Sequence, residues 1–154
     1  MPSHVLRSIY YAHVYPLIIY CNPIWSTTYP TYLTPLTLQL KKIVRIITNS
    51  SYLAHTSPLF KETKLLKLED VTTLEIATLM YKNKYEMHDV LPTHGYFTRR
   101  PDNLVFPIHR LSKFQHSTTY LGPVIWNSIP TKIQEAPSLN TFRRQLKNRI
   151  LMTY

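Results

Sequence analysis

At 154 residues the chain is long enough for one domain with a real core, or for two small helical subdomains. Only two glycines, Gly95 and Gly122, stand against twelve prolines, which disfavours sheets joined by tight hairpins and favours helices separated by proline-marked loops. The single cysteine, Cys21, excludes an intramolecular disulfide and a multi-cysteine zinc site, and the balance of 18 Lys and Arg against 8 Asp and Glu gives a net charge of +10.

From the N-terminus, the run VLRSIYYAHVYPLIIYCNPIW (residues 5–25) comes first. It carries Arg7, His13 and Pro16, lacks a small-residue cleavage site, and is interrupted well before the roughly 20 apolar residues of a membrane span. It reads as neither signal peptide nor membrane anchor. Residues 4–20 predict a helix that is apolar on nearly every side, hence buried, with Pro16 as a kink and Cys21 as a small core residue. Pro23 and Pro30 end that segment. A second helix is predicted over 32–48, its buried face set by Leu36, Leu40, Ile43, Val44 and Ile47, with Lys41, Lys42 and Arg45 mostly off that face.

After a polar loop, Ser57 and Pro58 read as the cap and first residue of a short helix to about 63. A third long helix is predicted over 68–86. Its stripe is Val71, Leu74, Thr78, Tyr81 and Tyr85, widened by Ile76, Leu79 and Met80. Glu69 and Asp70 suit the positive end of its dipole. Residues 87–114 lack a helical stripe, and 88–103 form the expected boundary between a helical subdomain over 1–87 and a tail subdomain over 104–154. In the tail, Gly122-Pro123 reads as cap and first residue of a short helix ending before Pro130, with a further turn over 131–135. Ser138 then caps a last helix with Leu139, Phe142, Leu146 and Ile150 inside and Arg143, Arg144, Lys147 and Arg149 outside. The fold class is therefore mainly α: a helical bundle, a loop-rich segment and a basic amphipathic helix at the C-terminal end.

Charge is unevenly placed. Residues 1–61 contain no acid and five basic residues, 62–102 contain seven acids and six basic residues, and 103–154 contain one acid, Glu135, and seven basic residues. Two basic stretches around a near-neutral middle point to a polyanion, most often nucleic acid; the plainer reading is a solvated, solubilising surface.

Catalytic signatures are sparse. Glu69-Asp70 is the one adjacent acidic pair, and its place at a helix start explains it without metal ions. His88, His94 and Asp89 are a weak candidate metal cluster, and Cys21 has no histidine partner in its local context. There is no glycine-rich phosphate loop and no GxSxG elbow. Tyr10, Tyr11, Tyr15 and Tyr20 are candidates for stacking on bases, although tyrosine in an apolar helix is more often core.

The tail carries Gly122-Pro123, Trp126-Asn127-Ser128-Ile129-Pro130, Ala136-Pro137-Ser138 and Phe142-Arg143-Arg144. This order resembles the C-terminal tail of reverse transcriptases encoded by non-LTR retrotransposons of animals, of the jockey kind. Upstream, YPLIIYCNPIW is similar to the helix that opens the thumb in that family. LQLKKIVRIITNSSYLAHTSPLFKETKLLKLEDV resembles its next segment, and YFTRRPDNL its Tyr-x-Thr-Arg loop. The resemblance runs from about residue 4 to 152. One departure is Leu121, where the family often has a basic or polar residue.

The resemblance implies the thumb and tail of an RNA-directed DNA polymerase, with a helical thumb-like bundle over 1–87. Fingers and a palm bearing paired catalytic aspartates belong to other parts of such enzymes, and this sequence has no Asp-Asp pair. No cofactor is expected in the chain itself, magnesium belonging to the palm. The implied partners are a template–primer duplex and the fingers and palm of the parent enzyme, without a membrane. The expected nucleic-acid contacts are Lys41, Lys42 and Arg45 on the second helix and Arg143, Arg144 and Lys147 on the last. The expected role is to hold a duplex without catalysis; the rival is a helical protein–protein module or a decayed or domesticated remnant. An intracellular setting is expected, nucleus and cytoplasm undistinguished.

Overall fold

A computed structural model describes residues 1–83 and 104–154. The chain is mainly α-helical, and among the described residues there is no strand. It forms two compact units, Met1–Thr72 with Arg149–Tyr154, and Thr73–Asn148. The expected linker, 88–103, the end of the third helix with Tyr85, and the His88–His94 cluster lie outside the described residues.

In the first unit α1 (Ser3–Ile9) runs through a π turn (Tyr10–Val14) into α2 (Tyr15–Ile19). Pro16 explains the π turn. It has no N–H to donate, and its ring would press on the carbonyl four residues back, so the preceding turn widens and the Tyr15 N–H reaches Tyr10 O. The expectation of a helix buried all round does not hold. Only Tyr10 and Ile18 are buried in this run, whereas Leu17 is 76 % exposed. The apolar residues ring the helix, but the chain lays only one side of it against neighbours. Cys21 is likewise exposed rather than core. It adopts the left-handed region at φ 48° and turns the chain into α3 (Asn22–Trp25).

The α2–α3 corner is held by a buried polar knot. Asn22 Nδ2 donates to Ile18 O at 3.1 Å, Ser26 Oγ donates to Asn22 O, and Trp25 Nε1 donates to Tyr20 O at 2.8 Å. Asn22 is fully buried, so these bonds offset the desolvation of its amide.

α4 (Pro30–Thr48) begins slightly earlier than predicted and packs on α1 and α5 (Thr56–Thr63). Leu40, Val44 and Ile47 are its buried stripe; Leu36 and Ile43 are half-buried. Pro35 lies in the second turn of α4, where it removes one helical N–H donor. Asn49 closes α4 in the left-handed region, with Ser50 N donating to Arg45 O at 2.9 Å. α5 starts at Thr56, not Pro58: His55 occupies the cap position without a side-chain cap bond. Ser57 and Pro58 are its second and third residues, a first turn that still tolerates proline. Lys64, at φ 55°, ends α5 by the same device as Asn49, and Leu65 N donates to Phe60 O at 3.1 Å. Phe60, Leu65, Leu66, Leu68 and Val71 complete the core of this unit, each worth about 1.5–3 kcal/mol in buried apolar area.

α6 (Leu68–Lys82) leaves the first unit and enters the second. In the second unit its Leu74, Ile76, Thr78 and Met80 are buried as expected and Ala77 joins them, whereas Leu79, expected to widen the stripe, faces outward at 38 % exposure. A 3₁₀ turn (Ser112–His116) leads into α7 (Thr118–Ser128), followed by α8 (Thr131–Gln134) and α9 (Leu139–Met152).

The start of α7 corrects a second expectation. Ser117 is the cap, its Oγ accepting from Tyr120 N at 3.3 Å, and Gly122-Pro123 lies inside the helix. Gly122 has no positive φ; its use is close approach. A Cβ there would stand 2.6 Å from Met80 Sδ, so a larger residue would require the Met80 side chain to shift. The predicted cap of α9 is present, Ser138 Oγ accepting from Thr141 N at 3.3 Å.

Candidate nucleic-acid interface

The tail pattern that carries the family resemblance is, in this fold, a packing pattern. Phe142 is fully buried and stacks on Tyr81, ring centres 4.5 Å apart, and on Trp126 at 6.0 Å. Ile129 and Ala136 are buried, as are Gly122 and Pro123. Asn127 uses both ends of its amide on one residue, Nδ2 donating to Leu104 O and Oδ1 accepting from Leu104 N, each at 2.9 Å. Gln134 Nε2 donates to Trp126 O at 2.7 Å, and Tyr81 Oη donates to Ala136 O. These residues fix the loops between α7, α8 and α9; none presents a reactive group. Sequence reading missed the roles of Asn22, Asn127 and Gln134, because a polar residue that knots its own backbone leaves no periodic trace.

Among the six expected contact residues, the first unit holds Lys41, Lys42 and Arg45 and the second holds Arg143, Arg144 and Lys147. Within each group the environments differ. Lys42 and Arg144 are exposed; Lys41, Arg45, Arg143 and Lys147 are half-buried. Arg45 Nε donates to Ala54 O at 3.1 Å, and its guanidinium stands 5.9 Å from the Tyr52 ring centre, so it ties down the loop after α4.

Arg143 is bound most firmly. Its guanidinium grips Glu75 two-handed, Nη2 to Oε1 at 2.6 Å and Nη1 to Oε2 at 3.3 Å, with Thr78 Oγ1 3.4 Å from Nη1. The Glu75 side chain is only 14 % exposed. A bidentate pair of this kind is strong and directional, and it joins α9 to α6 within the second unit. Its position one residue after Phe142 places it at the edge of the core, which sequence reading treated as solvent.

The tyrosine cluster is largely self-satisfied. Tyr10, Tyr11 and Tyr15 contact one another edge-on or tilted, with ring centres 5.3–6.1 Å apart. Burial, and then its two tyrosine neighbours, push the Tyr10 phenol above the ordinary tyrosine range. Tyr20 is exposed. Among the described residues no group of three or more His, Cys, Asp or Glu is placed to hold a metal ion, and no helix is long and apolar enough to cross a membrane. Asp70, at the start of α6, accepts a hydrogen bond from Tyr154 Oη. Comparison with protein-family models, curated proteins and solved structures gave no match.

Proposed function

We propose that this chain is a nucleic-acid-holding region related to the thumb and tail of a non-LTR retrotransposon reverse transcriptase, and that it performs no catalytic step by itself. Magnesium and the catalytic aspartates belong, on this reading, to the palm of the parent enzyme. The observation that carries the proposal is a division of labour along its helices. α4 and α9 bury Leu40, Val44 and Ile47, or Phe142 and Leu146, and carry exposed cations, Lys42 and Arg144, on their remaining surface. Such cations contact phosphates and supply affinity without reading sequence. The net charge of +10 and the ordered tail pattern support the same reading.

The test is duplex binding by the purified chain, followed by fluorescence anisotropy across a salt series. The logarithm of affinity should fall linearly with the logarithm of salt, by about 0.9 per phosphate neutralised. Absence of binding at low salt would sink the proposal.

A second reading has an observation of its own. Leu17, Tyr20, Ile24 and Tyr32 are each about three-quarters exposed in the first unit. Large exposed apolar residues close in sequence fit a protein-docking module. Docking through them would tolerate salt well, which separates the two readings in one titration.

A further inference from the structure

In the second unit four rings meet around the 3₁₀ turn. Tyr120, on α7, is the hub. The Phe106 ring centre lies 6.2 Å from it, tilted; His109 lies 4.8 Å away and Phe114 6.5 Å away, both edge-on. His109 and Phe114 are nearly parallel, their planes 19° apart and their centres 6.1 Å apart. The imidazole is fixed at both nitrogens, Nε2 accepting from Gln115 Nε2 at 2.8 Å and Nδ1 facing Pro107 O at 3.4 Å. The rings hold one another in place without closing into a core: Phe106 is 48 % exposed, and His109, Phe114 and Tyr120 are half-buried.

Charge is a second and independent feature of the same surface. Residues 103–134 contain no Asp or Glu. Arg110 and Lys113 are exposed and alternate with the rings along the chain. Among the described residues neither makes a hydrogen bond or an ion pair, so the fold itself does not use them. A bare phosphate contact gains nothing from aromatic faces open to water, and an apolar docking surface gains nothing from two cations without counter-charges. A nucleic-acid strand uses both, its phosphates on the cations and its bases on the rings. In a duplex each base face is covered by the next base pair, so an unpaired strand is the form that presents bases to a ring.

We propose that Phe106 and the rings behind it form a stacking platform for the bases of an unpaired nucleic-acid strand, with Arg110 and Lys113 on its phosphates. Phe106 is the stacking residue, since it is the one exposed ring of the four. Tyr120, His109 and Phe114 position it. The inference shares the nucleic-acid class with the reading above, but it concerns other residues and a single strand rather than a duplex.

The experiment is fluorescence anisotropy of the whole chain with three probes: an oligothymidylate of about 12 nucleotides, within the usual span of a single-strand site, an abasic strand of the same length, and the RNA–DNA duplex. The abasic strand keeps the phosphates and lacks the bases. Three variants are compared. Phe106→Leu keeps apolar bulk and removes the ring, Phe106→Tyr keeps the ring, and Arg110→Gln with Lys113→Gln removes the cations. The native chain should bind oligothymidylate about tenfold or more tighter than the abasic strand. Phe106→Leu should abolish that preference and Phe106→Tyr retain it. The double Gln variant should lower the salt slope for both strands by about 1.4 units, about 0.7 for each phosphate; an unchanged slope overturns the phosphate contacts. Equal affinity for the two strands, or an oligothymidylate affinity unmoved by Phe106→Leu, overturns the platform. Duplex bound with oligothymidylate unbound also overturns it and leaves the proposed function standing. Oligothymidylate bound through Phe106 with duplex unbound upholds the platform and removes the duplex-holding role. If no probe binds, both readings fall, and self-association that Phe106→Leu abolishes in sedimentation would assign the patch to a second copy of the chain.

Discussion

α4 and α9 are built alike and use their cations differently. Each is a long amphipathic helix with an aliphatic or aromatic stripe inside and a run of basic residues around it. On α9, Arg143 follows directly after the fully buried Phe142 and is gripped by the Glu75 carboxylate. On α4, Lys41 follows directly after the buried Leu40 and lines a cavity with no carboxylate bonded to it. The two positions are equivalent in helical register. What separates them is what faces them: α6 offers Arg143 a glutamate at the right height, and among the described residues Lys41 has no such partner. A cation beside a core stripe is thus a structural clamp or a free contact according to the residue opposite, and the second kind is the one available to an anion.

The largest test of that contrast lies in the anchor of α9. Phe142→Ala should cost about 3–5 kcal/mol, because a fully buried ring stacked on Tyr81 and Trp126 would be replaced by a cavity. Urea denaturation measures it; a loss below 1 kcal/mol would mean that α9 is not held as described, and the clamp role of Arg143 would go with it.

Next comes the direct comparison of the two cations. Arg143→Gln should destabilise the chain by about 1–2 kcal/mol, discounted for its partial exposure, since Glu75 is left half-enclosed without its partner. Lys41→Gln should change stability by no more than about 0.5 kcal/mol. Duplex-binding slopes should show the reverse pattern, unchanged for Arg143→Gln and lowered for Lys41→Gln. Equal behaviour of the two variants in both assays would erase the distinction between clamp and contact.

The third test addresses Tyr154, whose ring lies under Lys67. Burial, and then the hydrogen bond to Asp70, hold its phenol well above the ordinary tyrosine value near 10. A raised folded value means that its stabilisation is complete below pH of about 10 and is lost as pH climbs from there toward the folded value. Tyr154→Phe should remove about 1 kcal/mol at neutral pH and part of the alkaline loss, the remainder belonging to Tyr10, which shifts in the same direction. Denaturation midpoints at pH 7 and pH 10.5 would show whether the two curves converge.

The smallest effect is a gain. Lys64 stands in the left-handed region at the end of α5, where a Cβ is strained, so Lys64→Gly should stabilise by about 0.5–1 kcal/mol. Asn49→Gly should gain less, because asparagine tolerates this conformation better. A thermal melt that ranks the two in the opposite order would show that their surroundings, not backbone preference, decide the helix ends.

Much of this architecture is legible in the sequence, for local reasons. The 3.6-residue recurrence of Leu40, Val44 and Ile47, and of Phe142, Leu146 and Ile150, follows from burying one helix face, and it marks α4 and α9 without any tertiary knowledge. Ser138 marks the start of α9 because its hydroxyl satisfies a donor only three residues away. Other features depend on partners remote in the chain. Gly122-Pro123 looks like a helix start, yet it lies mid-helix, Gly122 set against the Met80 side chain and Ser117 serving as the cap. The first helix is apolar all round, and its sequence does not say that only Tyr10 and Ile18 are covered.

By itself, then, the sequence determined the helical class, the positions of the long helices, their buried stripes and the excess of cations, since each follows from propensity, period and composition within one stretch of chain. The tertiary structure alone decided which cations are engaged: Arg143 by Glu75, Arg45 by Ala54 O, and Lys41 by no described group. The physical reason is that a charge acquires its role from what faces it across a few ångströms, and that neighbour is set by packing, 68 residues away in the case of Glu75.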